Sequence, residues 1–268
     1  MAKSRKTNQD NGSTVDAANQ KLRADALLLK RGFARSRDRA RDLIAEGAVL
    51  AAGEIVRKAS KMLAIDCDIT MTSAGNPWVS RAGMKLAGGL ADFPMIEVAG
   101  RYAIDIGAST GGFTEVLLAH DAEQVVAIDV GKGQLADHLA DDPRVTVMDA
   151  TNARYLKLDM LAKAPQLVVC DASFISVRKV LVPALNMAAA GAGLLALIKP
   201  QFEVGKGLVG KGGIVRDHHL LEMVIADIEN WLVTEMGWQH FGTAASRIDG
   251  PDGNREFLLA GKKPDKAG

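Results

Sequence analysis

The most constraining feature of the sequence is a glycine-rich turn that joins an apolar run to an amphipathic run. The apolar run 102–106 predicts a strand, residues 107–112 a tight turn, and the run 113–119 a helix. The glycines let the backbone bend sharply and let a ligand approach closely, and the helix behind them offers unpaired N–H groups. A second predicted strand, 124–128, ends in Asp129, whose carboxylate can accept hydrogen bonds from both hydroxyls of a ribose. This stretch therefore predicts a site for a nucleoside-bearing cofactor.

Two cofactor classes suit such a turn, a dinucleotide and S-adenosylmethionine. A dinucleotide fingerprint reads G-x-G-x-x-G, whereas this turn reads Gly-Ala-Ser-Thr-Gly-Gly and follows Asp105. An acidic residue there would repel a pyrophosphate and attract the amino group of a methionine moiety, which favours S-adenosylmethionine. An ordinary turn whose glycines only serve packing is the alternative. The predicted cofactor contacts are Asp105, Gly107, Ser109, Gly111, Gly112, Phe113, Asp129 and Asp149.

Charge is distributed unevenly along the 268 residues. The net charge is +1, yet residues 1–62 carry 14 Lys and Arg against 7 Asp and Glu, so the rest of the chain is acidic. A basic amino-terminal part predicts a polyanionic partner for that part. No signal peptide is recognisable and no apolar run approaches the roughly 18–20 residues of a spanning helix, so we expect a cytoplasmic protein that does not bind membranes. Two cysteines, Cys67 and Cys170, cannot form a zinc site, and no metal is predicted.

Strands and helices alternate after residue 81. The predicted strands are 102–106, 124–128, 145–148, 167–170, 193–198, 239–244 and 256–260, and the predicted helices include 81–91, 177–190 and 217–235. This alternation predicts a mostly parallel sheet covered on both faces, an α/β fold of the Rossmann-like type that closes with an antiparallel hairpin. The predicted boundaries are a disordered tail at 1–20, a small α+β domain at 21–74, a linker at 75–80, the Rossmann-like domain at 81–262 and a tail at 263–268.

The small domain centres on an arginine-rich helix. We predict a helix from Lys21 to near Gly32, a second helix from Ser36 to Gly47, and short strands at 48–50, 55–56 and 68–71. The stretches 23–28 and 36–49 resemble the RNA-binding domain named after ribosomal protein S4. The resemblance implies that the second helix lies against RNA backbone, where arginines bind phosphate. The predicted RNA contacts are Arg23, Arg35, Arg37, Arg39 and Arg41, and a solvated charged helix face is the alternative.

Four charged residues stand where a parallel sheet places its ligands, beyond the carboxyl ends of the strands. Asp171 and Lys199 each follow an apolar strand, Glu256 begins the last strand, and Lys85 lies on the helix before the cofactor strand. Each has an ordinary interpretation by itself, as a surface lysine, a strand-edge charge, a phosphate anchor or a helix cap. Together, two lysines and two carboxylates could alternate around one pocket.

Five motifs carry a closer resemblance over residues 21 to about 261. They are SRAGMKL at 80–86, DIGASTGGFT at 105–114, DASFIS at 171–176, KPQFE at 199–203 and GNREF at 253–257. They resemble the TlyA family, bacterial rRNA 2′-O-methyltransferases that act on cytidine and are often described as hemolysins. The catalytic domain is similar to the FtsJ-type methyltransferases, which implies a catalytic tetrad of Lys85, Asp171, Lys199 and Glu256 and an rRNA or ribosomal-subunit partner. The order Ala82-Gly83 departs from the Gly-Ala more usual in the family and leaves Lys85 in place.

The residue types suit transfer of a methyl group to a ribose hydroxyl. A neighbouring lysine, partial burial and the sulfonium charge are expected to lower the pKa of Lys199 from about 10.4, so that it accepts the hydroxyl proton or steers the oxygen lone pair. Asp171 would orient Lys199, while Glu256 and Lys85 would hold the ribose in line. A base amino group is disfavoured because no prolines follow Asp171, and a base carbon because Cys170 is expected to be buried and inert. We expect the target nucleotide to be flipped out of its helix.

Three other functions are considered. A non-catalytic RNA-binding or ribosome-assembly factor would not need the four intact tetrad residues. A membrane-active hemolysin would need a spanning or strongly amphipathic element. A nicotinamide oxidoreductase is disfavoured by the sequence of the glycine turn.

Overall fold

The computed structural model describes residues 20–34, 37–45, 47–71, 76–205, 207–210, 212–250 and 253–265. The chain forms two compact units, Met1–Thr72 and Ser73–Gly268. The predicted amino-terminal tail, apart from Gln20, lies outside the described residues, and so do Arg35, Ser36 and the last three residues of the predicted carboxyl-terminal tail.

The small unit combines two helices with short antiparallel strands. Helices α1 (Ala24–Lys30) and α2 (Arg37–Ala45) bury their apolar faces in one core, in which Leu27, Leu28 and Ala40 are fully buried. The strands are β1 (Lys21–Arg23), β2 (Val49–Ala51), β3 (Glu54–Ile55), β4 (Met62–Ala64) and β5 (Ile69–Met71). Strands β3, β2 and β5 form one sheet in that order, and β1 pairs with β4.

The predicted helix start at Lys21 is wrong. Residues 21–23 form β1, which pairs in register with Ala64, Leu63 and Met62 of β4, a strand that was not predicted. The partner lies far along the chain, so the local periodicity of residues 21–29 carries no sign of it. The helix begins instead at Ala24, next to Asp25, whose side chain accepts a hydrogen bond of 2.8 Å from the backbone N–H of Ala26.

The large unit is built on a seven-stranded sheet. Its strands are β6 (Tyr102–Ile106), β7 (Gln124–Ile128), β8 (Val145–Met148), β9 (Leu167–Cys170), β10 (Gly193–Ile198), β11 (Gln239–Ala245) and β12 (Phe257–Lys262). The order is β11-β12-β10-β9-β6-β7-β8, in which β12 is antiparallel to both neighbours and the other pairs are parallel. The predicted α/β fold with a closing antiparallel hairpin is confirmed, and the first five strands have the predicted bounds.

Helices cover both faces of the sheet. They are α3 (Arg81–Asp92), α4 (Gly112–Ala119), α5 (Asp137–Ala140), α6 (Val177–Met187), α7 (Pro200–Glu203) and α8 (His218–Thr234). One apolar cluster includes residues of α6 and α8, and the other includes residues of α3 and α4. Helix α6 ends three residues before the predicted Ala190, because the backbone becomes extended at Ala188 and the N–H of Ala189 donates to the carbonyl of Pro165 instead of continuing the helix.

The topology brings the polar residues that follow the strands to one edge of the sheet. Asp129, Asp171 and Lys199 come directly after β7, β9 and β10, whose carboxyl ends meet there. Glu256 directly precedes β12, and because β12 runs antiparallel to β10, Glu256 lies at the same edge. The fold therefore gathers these charges before any side-chain contact is considered.

Helix α3, which carries Lys85, is fixed by close packing at Gly83. A Cβ atom at Gly83 would lie 2.5 Å from the Cβ of Trp78, closer than two carbon atoms can approach. The glycine at 83 is thus matched to the way Trp78 packs here.

We expect Gly83→Ala to lower the free energy of unfolding by roughly 1–3 kcal/mol, because the added methyl group overpacks against Trp78. The matched control is Gly88→Ala on the same helix, where a Cβ would meet only the flexible side chain of Arg247. That variant should be neutral or more stable by up to about 1 kcal/mol, the helix preference of alanine. Urea unfolding of both variants measures the difference, and equal effects would contradict this account of Gly83.

Candidate active site

Four charged side chains form two buried ion pairs at the carboxyl edge of the sheet. Nζ of Lys85 lies 2.5 Å from Oε2 of Glu256, and the two side chains are 7% and 1% exposed. Nζ of Lys199 lies 2.5 Å from Oδ1 of Asp171. The pairs adjoin, since the charge of Lys85 acts on Asp171 and that of Glu256 acts on Lys199. The structure thus brings all four residues of the predicted tetrad together.

Lys199 is held by several oxygens of the loop after β9. Besides its ion pair, its ammonium donates to the hydroxyl of Ser173 at 2.8 Å and to the backbone carbonyl of Asp171 at 3.1 Å. Ser173 lies in the DASFIS motif but was not singled out, since only the fold shows that its hydroxyl turns towards Lys199. The position of the ammonium is therefore set by the loop rather than by a single partner.

Burial and neighbouring charges shift the pKa values of Asp171 and Lys199 in opposite directions. Burial raises the pKa of Asp171, but the charges of Lys199 and Lys85 outweigh it and hold that pKa below its usual range. Burial lowers the pKa of Lys199, but the charges of Asp171 and Glu256 outweigh it and raise that pKa above its usual value. The prediction of a lowered pKa for Lys199 is wrong for the protein without S-adenosylmethionine. It considered the charge of the neighbouring lysine and left out the charges of Asp171 and Glu256, which raise the pKa. Lys199 is an ammonium group at neutral pH.

Asp105 is a buried acid without a counter-charge. Its Oδ2 accepts a hydrogen bond of 2.7 Å from the hydroxyl of Thr114, while Oδ1 is buried and has no hydrogen-bond partner in the described structure. Burial, opposed by the bond from Thr114 and supported by the charge of Asp171, raises the pKa of Asp105 to about 7. An unpaired carboxylate oxygen is a suitable partner for an ammonium group of a ligand, so this residue fits the predicted contact with a methionine moiety.

Asp129 and Asp149 organise the loops beside the glycine turn. Asp129 accepts hydrogen bonds from the backbone N–H groups of Ser109 at 2.9 Å and Gly131 at 2.7 Å. Asp149 follows β8 and accepts from the N–H of Gly133 at 2.7 Å. Each carboxylate oxygen has two lone pairs, so Asp129 retains capacity for ribose hydroxyls. The two acids lie on the loops that follow the neighbouring strands β7 and β8.

Gln134 is a polar residue of this region that sequence reasoning missed. Its carbonyl oxygen lies 3.4 Å from the hydroxyl of Ser109, and a Cβ atom at Gly131 would fall only 1.8 Å from its amide nitrogen. It follows neither a strand nor a motif glycine, so the sequence carried no signal for it.

The glycines of the turn are required by internal packing as well. Gly111 has a φ of 97°, in the left-handed region, and a Cβ there would strike Leu139 and Leu135. A Cβ at Gly112 would lie 2.2 Å from the hydroxyl oxygen of Ser80, and Phe113 is 2% exposed within the core. A Cβ at Gly107 would reach the backbone of Ala172 at 2.9 Å. Internal packing therefore restricts these three positions of the turn to glycine.

A cleft of about 420 Å³ lies against the loop 171–176 that follows β9. It is lined by Arg154, Phe174, Ile175, Ser176, Lys179 and Phe202. Phe174 is 90% exposed with a φ of 64°, and its ring centroid lies 5.2 Å from that of Phe202. An exposed phenylalanine in a left-handed backbone conformation is unusual outside functional sites. The two aromatic residues belong to the recognised DASFIS and KPQFE motifs, but their pairing was not predicted.

Cys170 does not offer a nucleophile. It is 1% exposed at the end of β9, and burial raises the pKa of its thiol to about 12. A thiol with such a pKa stays protonated at neutral pH and is inert. The expectation that Cys170 is buried is confirmed.

The arginines of the small unit gather partly around Asp25. This carboxylate is 2% exposed and receives hydrogen bonds from Arg23 at 3.0 Å and Arg37 at 3.4 Å. The hydrogen bond from Arg23 lowers the pKa of Asp25. Arg39 and Arg41 lie on the same helix as Arg37, and both also make contacts within the protein. Arg35 lies outside the described residues.

Comparison with family models agrees with this architecture. A model described as FtsJ-like methyltransferase matches residues 78–263, and a model described as S4 domain matches residues 22–66. The fold and these matches define a methyltransferase of the FtsJ-like class with an S4 domain.

Curated relatives and a solved structure narrow this class. The chain is 45% identical to the 16S/23S rRNA (cytidine-2′-O)-methyltransferase TlyA of Mycobacterium tuberculosis, over 90% of this chain and 89% of that protein. It is 36% identical to Hemolysin A of Brachyspira hyodysenteriae, over 88% and 98%. A candidate hemolysin of Streptococcus thermophilus has a solved structure with a TM-score of 0.72 and 35% identity, covering 91% of this chain and 89% of that chain. The chain belongs to the TlyA family.

The hemolysin names of two of these relatives prompt a search for membrane-spanning elements. Within the ranges that the structure describes, no helix has both the length and the apolar character needed to cross a bilayer.

We expect Asp105→Asn to stabilise the ligand-free protein in a pH-dependent manner. The folded-state pKa of about 7 lies above the ordinary 3.8, so the wild type loses stability as pH rises from about 4 to 7. Asparagine does not titrate, and its advantage should grow over this range to a plateau on the order of 2–4 kcal/mol.

Thermal unfolding between pH 4 and 8 measures this effect, with the exposed Asp159→Asn as the control that leaves the profile unchanged. A constant difference at all pH values would show that Asp105 does not titrate as described.

Proposed function

We propose that this chain is an S-adenosylmethionine-dependent rRNA methyltransferase that modifies the 2′-hydroxyl of a cytidine ribose. The observation that carries the proposal is the pair of adjoining buried ion pairs, Lys85–Glu256 and Lys199–Asp171, at the carboxyl edge of a methyltransferase sheet. The proposed target, the 2′-oxygen of a cytidine in rRNA, is the one in the name of the Mycobacterium tuberculosis relative. Such a substrate implies a ribosomal subunit as partner and a cytoplasmic location.

The residues around the glycine turn fit S-adenosylmethionine. Asp105 offers an unpaired carboxylate oxygen to the amino group of the methionine moiety, and Asp129 offers oxygen lone pairs to the ribose. Asp149, Ser109, Phe113 and the turn glycines complete the proposed site. When bound, S-adenosylmethionine supplies an electrophilic methyl group.

The tetrad acts mainly by orientation in this proposal. Lys199 is held as an ammonium group by Asp171 and Ser173, so it can direct a hydroxyl oxygen but cannot accept a proton, and the proton that the hydroxyl loses on methylation passes to water. The pKa of Asp171 is depressed, which makes it a weak base. Fixing the ribose oxygen in line with the methyl group is therefore the main contribution of the tetrad. Lys85 and Glu256 hold the other side of the ribose.

The aromatic cleft suits the base and backbone of a flipped nucleotide. The rings of Phe174 and Phe202 offer a surface on which a base can stack, and Arg154 and Lys179 offer positive charge for phosphate. The cleft adjoins Asp171 through the loop that carries Phe174. This arrangement would present the ribose of the stacked nucleotide to the tetrad.

The S4 unit supplies most of the rRNA affinity in the proposal. Its arginines neutralise backbone phosphate, and the contacts of Arg23 and Arg37 with Asp25 orient their side chains before RNA binds. A non-catalytic RNA-binding factor is disfavoured because burying four charges is costly without a use for them.

The product identifies the methylated atom. Purified enzyme, labelled S-adenosylmethionine and ribosomal subunits that lack the modification should yield an alkali-resistant dinucleotide with one methyl group, because a 2′-O-methyl group blocks cleavage at its own 3′ phosphodiester. Lys199→Ala should lower turnover at least ~100-fold with S-adenosylmethionine affinity changed only a few-fold. The exposed Lys163→Ala is the control. A methylated mononucleotide would place the methyl group on the base and reject the proposal.

The role of the S4 unit is tested by salt dependence. The triple change of Arg37, Arg39 and Arg41 to Glu should weaken rRNA binding and reduce the slope of log affinity against log salt by about 2–3, since fewer counterions are released. Affinity for S-adenosylmethionine should stay the same. An unchanged slope would assign rRNA recognition to other residues.

A further inference from the structure

The loop that holds Lys199 contains a residue in an unfavourable backbone conformation. Residues 171–176 connect β9 to α6, and three of their oxygens contact the Lys199 ammonium. In the middle of this loop Phe174 adopts a φ of 64°, which is unfavourable for a residue with a side chain, and the phenylalanine ring is 90% exposed. Some contact outside the loop must therefore hold it in place.

Glu203 provides that contact at the far end of the loop. Its Oε2 accepts a hydrogen bond of 2.7 Å from the hydroxyl of Ser176, and its Oε1 accepts one of 2.7 Å from the backbone N–H of Val177. Val177 is the first residue of α6, so the carboxylate also lies at the positive end of that helix. Both oxygens of Glu203 are thus engaged with the loop and the helix it leads into.

Glu203 belongs to the same short segment as Lys199. Helix α7 begins at Pro200, directly after Lys199, and ends at Glu203. The backbone N–H of Phe202 donates to the carbonyl of Lys199 at 2.9 Å. Two sets of contacts therefore join the segment 199–203 to the residues 171–177. One set is made by the Lys199 ammonium and the other by the Glu203 carboxylate.

We propose that Glu203 is a positioning residue that sets the distance between Lys199 and the loop 171–176. It contacts neither substrate nor cofactor in this proposal and acts through Ser176 and Val177. If the contacts of Glu203 with Ser176 and Val177 are lost, the strained loop can move away from Lys199. The oxygens of Asp171 and Ser173 then no longer fix the Lys199 ammonium. The inference rests on the proposed methyl transfer, because its consequence is a misdirected ribose hydroxyl.

The distinguishing variants are Glu203→Ala and Glu203→Gln. Alanine removes both acceptors, whereas glutamine can still accept from the N–H of Val177 through its carbonyl and donate to the hydroxyl of Ser176 through its amide. We expect Glu203→Ala to lower kcat at least ten-fold on ribosomal subunits lacking the modification, with calorimetric affinity for S-adenosylmethionine within two-fold of wild type. Glu203→Gln should recover kcat to within about three-fold.

A matched control separates positioning from general loss of a helix cap. Asp217 caps α8 by accepting from the N–H groups of His219 and Leu220, so Asp217→Ala removes a similar carboxylate cap from another helix. That variant should lose thermal stability and keep kcat. Ser176→Ala, which deletes one contact and no charge, should lower kcat about three-fold and carries the test if Glu203→Ala does not fold.

Three outcomes would overturn the inference. They are normal kcat in Glu203→Ala, equal loss of kcat in the alanine and glutamine variants, and a fall of kcat in Asp217→Ala as large as in Glu203→Ala. Failure of the wild type to methylate the subunits would instead reject the proposed function, so the two failures are distinguishable.

Discussion

The active edge of this protein depends on the balance between burial and charge in two lysine–carboxylate pairs. Each pair removes two charges from water, which is unfavourable unless partners lie close and remaining donors are bonded. Lys199 meets both parts of this condition with Asp171 and Ser173, and Lys85 meets the first part with Glu256. The pairs also connect elements distant in sequence, so the groups proposed for methyl transfer are part of what holds strand ends and helix α3 in place. Function and stability share the same contacts here.

Asp25 and Asp105 show how the same residue type serves opposite purposes. Asp25 is buried beside two arginines, and its pKa is lowered first by the hydrogen bond from Arg23. Asp105 is buried beside a threonine hydroxyl, and its pKa is raised to about 7. The first is a completed contact that orients basic side chains in the S4 unit. The second has no cationic partner among the described residues, which suits it to a cationic ligand group.

The sequence alone predicted the strands correctly where the hydrophobic runs are long and both faces of the sheet are covered. Strands β6, β7, β9 and β10 have the predicted bounds, because continuous apolar stretches between charged or glycine-rich turns are buried together as a covered parallel sheet. The edge strand β8 also has the predicted bounds, although its residues are only partly buried or exposed. Strands β1 and β4 were missed, because they pair with each other across about forty residues of chain and nothing in either short segment indicates its partner. The helix over 177–187 was predicted too long for a similar reason, since the backbone N–H of Ala189 bonds the carbonyl of Pro165, which the local sequence does not indicate.

The identity of the candidate site residues also came from the sequence, through motif spacing and position after strands. Asp171, Lys199 and Glu256 could be named because polar residues at strand ends converge in this topology. Lys85, on helix α3, was named through the resemblance of its motif to the FtsJ-type methyltransferases. The direction of the Lys199 pKa, the roles of Ser173 and Glu203, and the pairing of Phe174 with Phe202 were decided only by tertiary structure. The physical reason is that a charge or a hydrogen bond acts over a few ångströms, and neighbours at that distance come from segments that only folding brings together.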